Sequence, residues 1–73
     1  MALENIKAPM TGRIISVNVK PGDQIAEWDV ICLLESMKME NPILAPVSGM
    51  IKEISISPGQ VAKTGDVIAI IEY

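Results

Sequence analysis

The 73-residue chain contains no histidine and a single cysteine, Cys32. The absence of histidine removes the commonest general base and metal ligand of proteins. One cysteine can form neither an internal disulfide nor a thiolate metal cluster. We expect Cys32 to be a small buried residue of the apolar run VICLL, and we expect a reducing compartment. These absences argue against a stand-alone enzyme and against a metal site.

The chain also lacks a surplus of basic residues and a long apolar segment. Six basic residues against nine acidic ones give a net charge of −3. This charge argues against non-specific binding to nucleic acid and against an anionic membrane surface. No apolar run approaches the roughly 20 residues of a transmembrane helix, and MALENIKAPM lacks a signal-peptide core. We therefore expect a cytoplasmic protein that binds no nucleic acid and inserts into no membrane.

Two segments of the chain, 6–35 and 43–72, are copies of one unit. They align at a constant offset of 37 without a gap, and eleven of the thirty aligned positions are identical. Self-similarity of this kind indicates a repeated structural unit whose copies bury a shared core. We expect residues 1–73 to form one domain, in which an approximate two-fold axis relates the halves.

Each copy has the pattern of β-strands. The stretches VNVK and ISIS alternate apolar and polar residues, and VICLLE and VIAIIE are short apolar runs. Pro-Gly pairs follow the alternating stretches and mark turns. Phenylalanine is absent, while twenty residues are Ile, Val or Thr, whose branched side chains suit a pleated surface. The sequence predicts an all-β sandwich or flattened barrel of about eight short strands.

Residues 23–41 also allow a helical interpretation. They contain no proline or glycine, and QIAEWDVICLLESMKME is rich in helix formers. The second copy argues against a helix, because it carries KTGDVIAIIE there, with Gly65 opposite Trp28. Since two copies of one unit should share a backbone, we predict strands in this stretch.

The segment SMKM, residues 36–39, joins the two copies. The offset places it opposite the chain ends, so we expect it at the far end of the domain from both termini. It lacks the Asn-Gly or Asp-Gly pair of common hairpin turns, and we expect a non-glycine residue in an uncommon backbone conformation. Lys38 could be an ordinary surface charge beside methionines that cover the core edge. Alternatively, the methionines could form an adaptable contact surface for a partner.

The sequence ESMKME resembles the biotin-attachment motif Glu-Ala-Met-Lys-Met of the biotinyl domain family. The flanking GDQI, APVSGMI and SPGQV also fit, so that the resemblance covers about residues 6–72. It implies a flattened β-barrel or sandwich of two four-stranded antiparallel sheets, with the target lysine at an exposed hairpin tip. It further implies covalent biotin on Lys38, attached by a biotin protein ligase, with Met37, Met39 and Glu35 as flanking recognition residues.

The resemblance also implies a non-catalytic carrier role. Biotin would carry a carboxylate from a biotin carboxylase site to a carboxyltransferase site of a carboxylase, decarboxylase or transcarboxylase. The chain would be a monomeric domain of a multi-subunit enzyme. An exposed lysine amine is mostly protonated at neutral pH and is a poor nucleophile, so the ligase must deprotonate it. On this interpretation the domain is a substrate of the ligase and not a catalyst.

Two other functions fit the same residues. Lipoyl carriers share this fold and a hairpin lysine, but they usually present Asp-Lys-Ala, so a lipoyl or dual biotin and lipoyl carrier is the first alternative. The second alternative is an unmodified interaction module in which the lysine is incidental. An intact mass and a peptide map of the protein expressed with a biotin ligase and biotin would decide most of this.

The chain departs from the family pattern at two positions. Ser36 replaces the usual alanine and, being small, should permit modification. Trp28 replaces a common glycine that the second copy retains as Gly65, and we expect the loop near Trp28 to differ in shape for this reason. The favoured interpretation of Trp28 is a partly buried anchor of its loop, and the other is an exposed contact for a partner enzyme.

Overall fold

The computed structural model describes all 73 residues and contains eight β-strands. The strands are β1 Leu3–Lys7, β2 Gly12–Val17, β3 Gln24–Ile25, β4 Val30–Ser36, β5 Met39–Leu44, β6 Gly49–Ile54, β7 Val61–Ala62 and β8 Val67–Glu72. Strands occupy most of the stretch 23–41, so the prediction of strands there is confirmed and the helical interpretation is wrong. The structure contains no helix with the length and apolar character that crossing a membrane requires.

The strands form two antiparallel sheets of four. We call the sheet with the order β5-β4-β2-β7 the hairpin sheet, and the sheet with the order β1-β8-β6-β3 the terminal sheet. The two sheets remain separate and do not close into a barrel. The predicted all-β sandwich of two four-stranded sheets is therefore confirmed. Each half of the repeat contributes two strands to each of the two sheets. Neither half alone can therefore bury a core.

The core between the sheets consists of hydrophobic residues only. Fifteen residues are buried, none of them polar or charged, and most are isoleucines. Cys32 is fully buried, as predicted, and its counterpart in the second copy, Ala69, is equally buried. Burial removes the thiol from water and raises the pKa of Cys32 to about 11. This cysteine therefore acts as a packing residue and is kept in its neutral form.

The hairpin tip, residues 36–39, and the chain termini lie at opposite ends of the sandwich. Strand β5 ends at Leu44, which pairs with Val30 at the end of the hairpin sheet away from the tip. The chain then enters β6 at Gly49, and the next residue, Met50, pairs with Glu72 near the C-terminus. The longest dimension of the molecule is 36 Å. The placement that the repeat predicts for the tip is confirmed.

The Trp28 loop, residues 26–29, and the Gly65 loop, residues 63–66, have the same backbone. The φ angles are 77° at Trp28 and 90° at Gly65. The Trp28 N–H donates to the Ala45 carbonyl and the Gly65 N–H donates to the Ala8 carbonyl, both at 2.8 Å. The expected difference in loop shape is therefore wrong, because the repeated backbone hydrogen bonds impose one conformation on both residues. Trp28 is also 68% exposed, so its interpretation as a partly buried anchor is wrong as well.

Candidate functional site

The tip that joins β4 to β5 is a two-residue turn. Ser36 pairs with Met39, which leaves Met37 and Lys38 as the turn residues. Their φ angles are 54° and 63°, and positive φ at both positions is the signature of a type I′ turn. This turn type matches the twist of the flanking strands, although neither residue is the asparagine or glycine that usually occupies it. The expectation of an uncommon backbone conformation is confirmed for both residues.

The side chains around Lys38 point into solvent. Met37 is 92% exposed, Met39 is 65% exposed, and Lys38 is exposed between them. The interpretation in which the two methionines cover the edge of the core is therefore wrong. The turn presents one amine between two flexible thioethers, a combination that offers an adaptable apolar contact around an accessible nitrogen.

Asn41 stabilises the hairpin just below the turn. It is half-buried in β5 and faces the same side of the sheet as the core residue Ile43. Its amide Nδ2 donates to the Met39 carbonyl at 3.2 Å and, at a longer 3.4 Å, to the Leu34 carbonyl. This residue is not among those that the sequence motif predicts for the site. The available signal was a polar residue two positions before Ile43, on the inward side of a strand.

Gly12 allows β2 to approach the hairpin closely. A Cβ atom at this position would collide with the carbonyl oxygen of Glu35, the residue immediately before the tip. Gly49 has the same relation to the Glu72 carbonyl in the second copy. The absent side chain at Gly12 therefore sets the spacing between β2 and β4 beneath the tip. Leu34, next to Glu35, is fully buried and anchors β4 to the core.

The electrostatic surroundings of the tip are mainly acidic. Glu35 lies directly opposite Glu40 across the hairpin and opposite Arg13 on its other side. All three side chains are exposed, and like charges at directly opposed positions slightly destabilise a strand pair. The only salt bridge of the chain lies elsewhere, so no carboxylate is within ion-pair distance of the Lys38 amine. The amine is thus free in solution, with two acidic residues near it.

The sequence matches the family model described as "Biotin-requiring enzyme" over residues 4–71. The chain belongs to this family. The match includes the first copy of the repeat, the tip with Met37, Lys38 and Met39, and all but the last residue of the second copy. The resemblance to biotinyl domains is confirmed at the level of the family.

Several known proteins are similar in sequence. The chain is 56% identical to glutaconyl-CoA decarboxylase subunit gamma of Acidaminococcus fermentans over 39 residues, which are 53% of this chain and 27% of that subunit. It is 50% identical to the mitochondrial propionyl-CoA carboxylase alpha chain of Homo sapiens over 36 residues, or 49% of this chain and 5% of the other. It is 49% identical to biotinylated protein TB7.3 of Mycobacterium tuberculosis over 41 residues, which are 56% of this chain and 58% of that protein. The chain thus spans less than two thirds of each relative.

Two solved structures contain the same fold. The urea carboxylase of Kluyveromyces lactis superposes with a TM-score of 0.91 and 28% identity, over 99% of this chain and 6% of that one. A single-chain, multi-domain long-chain acyl-CoA carboxylase superposes with a TM-score of 0.88 and 26% identity, over 93% of this chain and 7% of that one. The sandwich described here therefore recurs as a small part of carboxylase chains.

Proposed function

We propose that residues 1–73 form a biotin carboxyl carrier domain in which biotin is joined to the Nζ atom of Lys38. The observation that carries the proposal is the tip itself, where an exposed lysine stands on a two-residue turn between two exposed methionines. Family membership supports biotin as the attached group. The position of the tip, away from both chain ends, supports a carrier that is held at one end and free at the other.

The attachment is an acyl transfer. A biotin protein ligase deprotonates the Lys38 amine, which attacks the acyl carbon of biotinyl-adenylate. The C–N bond of an amide forms, the C–O bond to phosphate breaks, and AMP leaves. Because the tip supplies no general base of its own, we assign deprotonation and orientation to the ligase. Met37, Met39 and Glu35 are the residues that we propose the ligase recognises.

The modified lysine then acts as a mobile arm. Biotin accepts a carboxylate at a biotin carboxylase site and releases it at a carboxyltransferase site of a multi-subunit enzyme. Tethering keeps the biotin at a high effective concentration at each site without a new binding surface. The rigid sandwich contributes no catalytic group in this scheme and serves to present the arm.

The test is to incubate the protein with a biotin ligase, ATP and biotin, and then to record an intact mass and a peptide map. We expect one biotin, on Lys38, and none on the other four lysines. An unmodified Lys38, or equal labelling of Lys7 or Lys52, overturns the proposal. A parallel incubation with a lipoate ligase and lipoate tests the lipoyl alternative, which the exposed Met-Lys-Met tip disfavours.

Lys38→Arg is the matched variant for this test. Arginine retains the positive charge but cannot accept the acyl group, so we expect labelling to be lost. Since the residue is exposed and forms no salt bridge, the free energy of unfolding should change by less than about 0.5 kcal/mol. A large loss of stability in urea denaturation would instead indicate a structural lysine.

A further inference from the structure

The Trp28 loop carries a side chain that its backbone does not favour. Bulky residues rarely adopt positive φ, and the same backbone in the other copy is occupied by Gly65. Burial does not offset this strain, because 68% of Trp28 remains exposed. Residues in such conformations are concentrated at functional sites. An exposed tryptophan is also among the residues that contribute most to protein interfaces.

The loop holds Trp28 in a fixed position. The Asp29 carboxylate accepts a hydrogen bond from the Ala26 N–H at 2.8 Å. The Glu27 N–H donates to the Ser48 hydroxyl at 2.9 Å. The backbone on either side of the indole is therefore tied to the loop or to the neighbouring segment. A loop whose backbone is already ordered in this way loses less conformational entropy when a partner binds.

The charged residues next to Trp28 in the sequence are acidic and form no salt bridge. Glu27 and Asp29 flank Trp28 along the chain, and the only salt bridge of the chain involves neither of them. The neighbouring segment 43–49, ILAPVSG, has no charged residue. The Gly65 loop shares the aspartate but has Thr64 in place of Glu27. The pairing of an aromatic ring with a second carboxylate thus occurs in one loop only.

The Trp28 loop lies at the end of the sandwich opposite the hairpin tip. Trp28 comes just before Val30, where β4 begins, and Lys38 comes just after Ser36, where β4 ends. The seven residues of this strand separate the two side chains by about 20 Å. A partner bound at Trp28 therefore leaves Lys38 accessible.

We propose that the Trp28 loop is a docking surface for a protein partner that presents an arginine side chain. The guanidinium stacks on the exposed face of the indole, which attracts cations, and the Glu27 carboxylate accepts its N–H groups. Arginine fits this pair better than lysine because its planar group can stack and hydrogen-bond at once. The inference goes beyond carriage of biotin and does not depend on modification of Lys38.

Trp28 is the only tryptophan, so its indole N–H gives a single NMR signal that reports on the docking surface. The probe is a short synthetic peptide with two arginines between glycines, compared with the same peptide containing citrulline, which is nearly isosteric but uncharged. We expect saturable shifts of the indole signal and of the Glu27 amide signal with the arginine peptide. Binding of the citrulline peptide should be weaker by about tenfold.

Three variants make the test specific. Trp28→Gly introduces the residue type that the same backbone carries at Gly65. This variant should abolish the shifts around the loop without unfolding the protein. Glu27→Gln should weaken binding of the arginine peptide severalfold, while Glu40→Gln, at the hairpin tip, should leave it unchanged.

Several results would overturn the proposal. These are no saturable shift with the arginine peptide, an equal response to the citrulline peptide, or unchanged binding in Trp28→Gly. Indole shifts that depend on the concentration of the protein alone would also overturn it, because they indicate that a second copy of the chain covers Trp28.

Discussion

At the scale of single residues, the two copies of the repeat act as controls for each other. Trp28 and Gly65 share a backbone conformation, and Cys32 and Ala69 share a fully buried position. A difference between such twin residues cannot come from the local backbone. It reflects the packing, charge or exposed surface that one copy has and the other lacks.

Backbone strain at Trp28 can be separated from the loss of its side chain. Trp28→Gly and Trp28→Ala both remove the indole, but only glycine adopts a φ of 77° without a steric penalty. We expect the glycine variant to be more stable than the alanine variant by about 1 kcal/mol in urea denaturation. The same pair of substitutions at Glu53, an exposed position of β6 without positive φ, should give the opposite order. Equal stabilities at Trp28 would show that the loop rearranges.

The buried thiol of Cys32 makes stability depend on pH in the alkaline range. Its pKa rises from 9.0 to about 11 on folding because burial disfavours the thiolate. The unfolded chain therefore loses its proton first, so the stabilisation is complete below pH 9 and is lost as the pH rises to 11. The loss should reach about 2 kcal/mol. Cys32→Ala should remove this part of the pH dependence, as shown by the difference between its unfolding curves and those of the parent. Identical pH profiles would contradict the prediction.

At the scale of the elements, the β4–β5 hairpin combines a firm base with an unfavourable turn. Leu34 and Ile43 are buried at its base, and Asn41 bridges the two strands by hydrogen bonds. The turn places Met37 and Lys38 at positive φ, where asparagine and glycine are the usual residues. The base thus holds a turn sequence that is poorly suited to its own conformation.

Replacing the two turn residues should raise the stability of the protein and abolish its labelling with biotin. The double variant Met37→Asn with Lys38→Gly supplies the preferred type I′ residues, and we expect the free energy of unfolding to rise by about 1 to 2 kcal/mol. The same variant should accept no biotin from the ligase. Thermal unfolding and intact mass measure the two effects on one sample. A less stable variant would show that the methionine and lysine side chains contribute contacts that the exposed turn does not reveal.

At the scale of the whole molecule, the approximate two-fold axis exchanges the hairpin tip with the chain ends. Ala2 and Tyr73 exchange backbone hydrogen bonds of 2.7 and 2.9 Å near the termini, and Ser36 pairs with Met39 at the tip. The same architecture therefore closes both ends of a sandwich 36 Å long. Only one of these ends carries the lysine between methionines.

Equivalent substitutions in the two copies can test whether only one end of the sandwich supports labelling. Gly12→Ala and Gly49→Ala each place a Cβ atom against a backbone carbonyl oxygen, that of Glu35 or of Glu72. We expect both variants to lose about 2 kcal/mol of stability, because the strands must move apart. Only Gly12→Ala should slow the labelling of Lys38, since only this glycine lies beneath the tip. Equal labelling rates in the ligase assay would show that the geometry of β2 does not affect the tip.

The amino-acid sequence alone determined the repeat, the β-strands and the location of Lys38 between the two copies. These features could be predicted because a constant offset and an alternation of apolar residues are visible along one dimension. The proposed role of Met37 and Met39 beside the lysine rests on a local pattern, the Met-Lys-Met motif, and also stays a prediction. Biotin attachment at that lysine stays a prediction.

Only the tertiary structure decided that the sheets stay separate, that Trp28 is exposed in a glycine-like conformation, and that Asn41 and Gly12 shape the tip. Each of these properties depends on atoms that are distant in the sequence. The hydrogen bond from Trp28 to Ala45 and the contact between Gly12 and Glu35 are examples. Patterns along the chain report which side chains avoid water, but the conformation of a loop is set by the partners that the fold brings to its backbone.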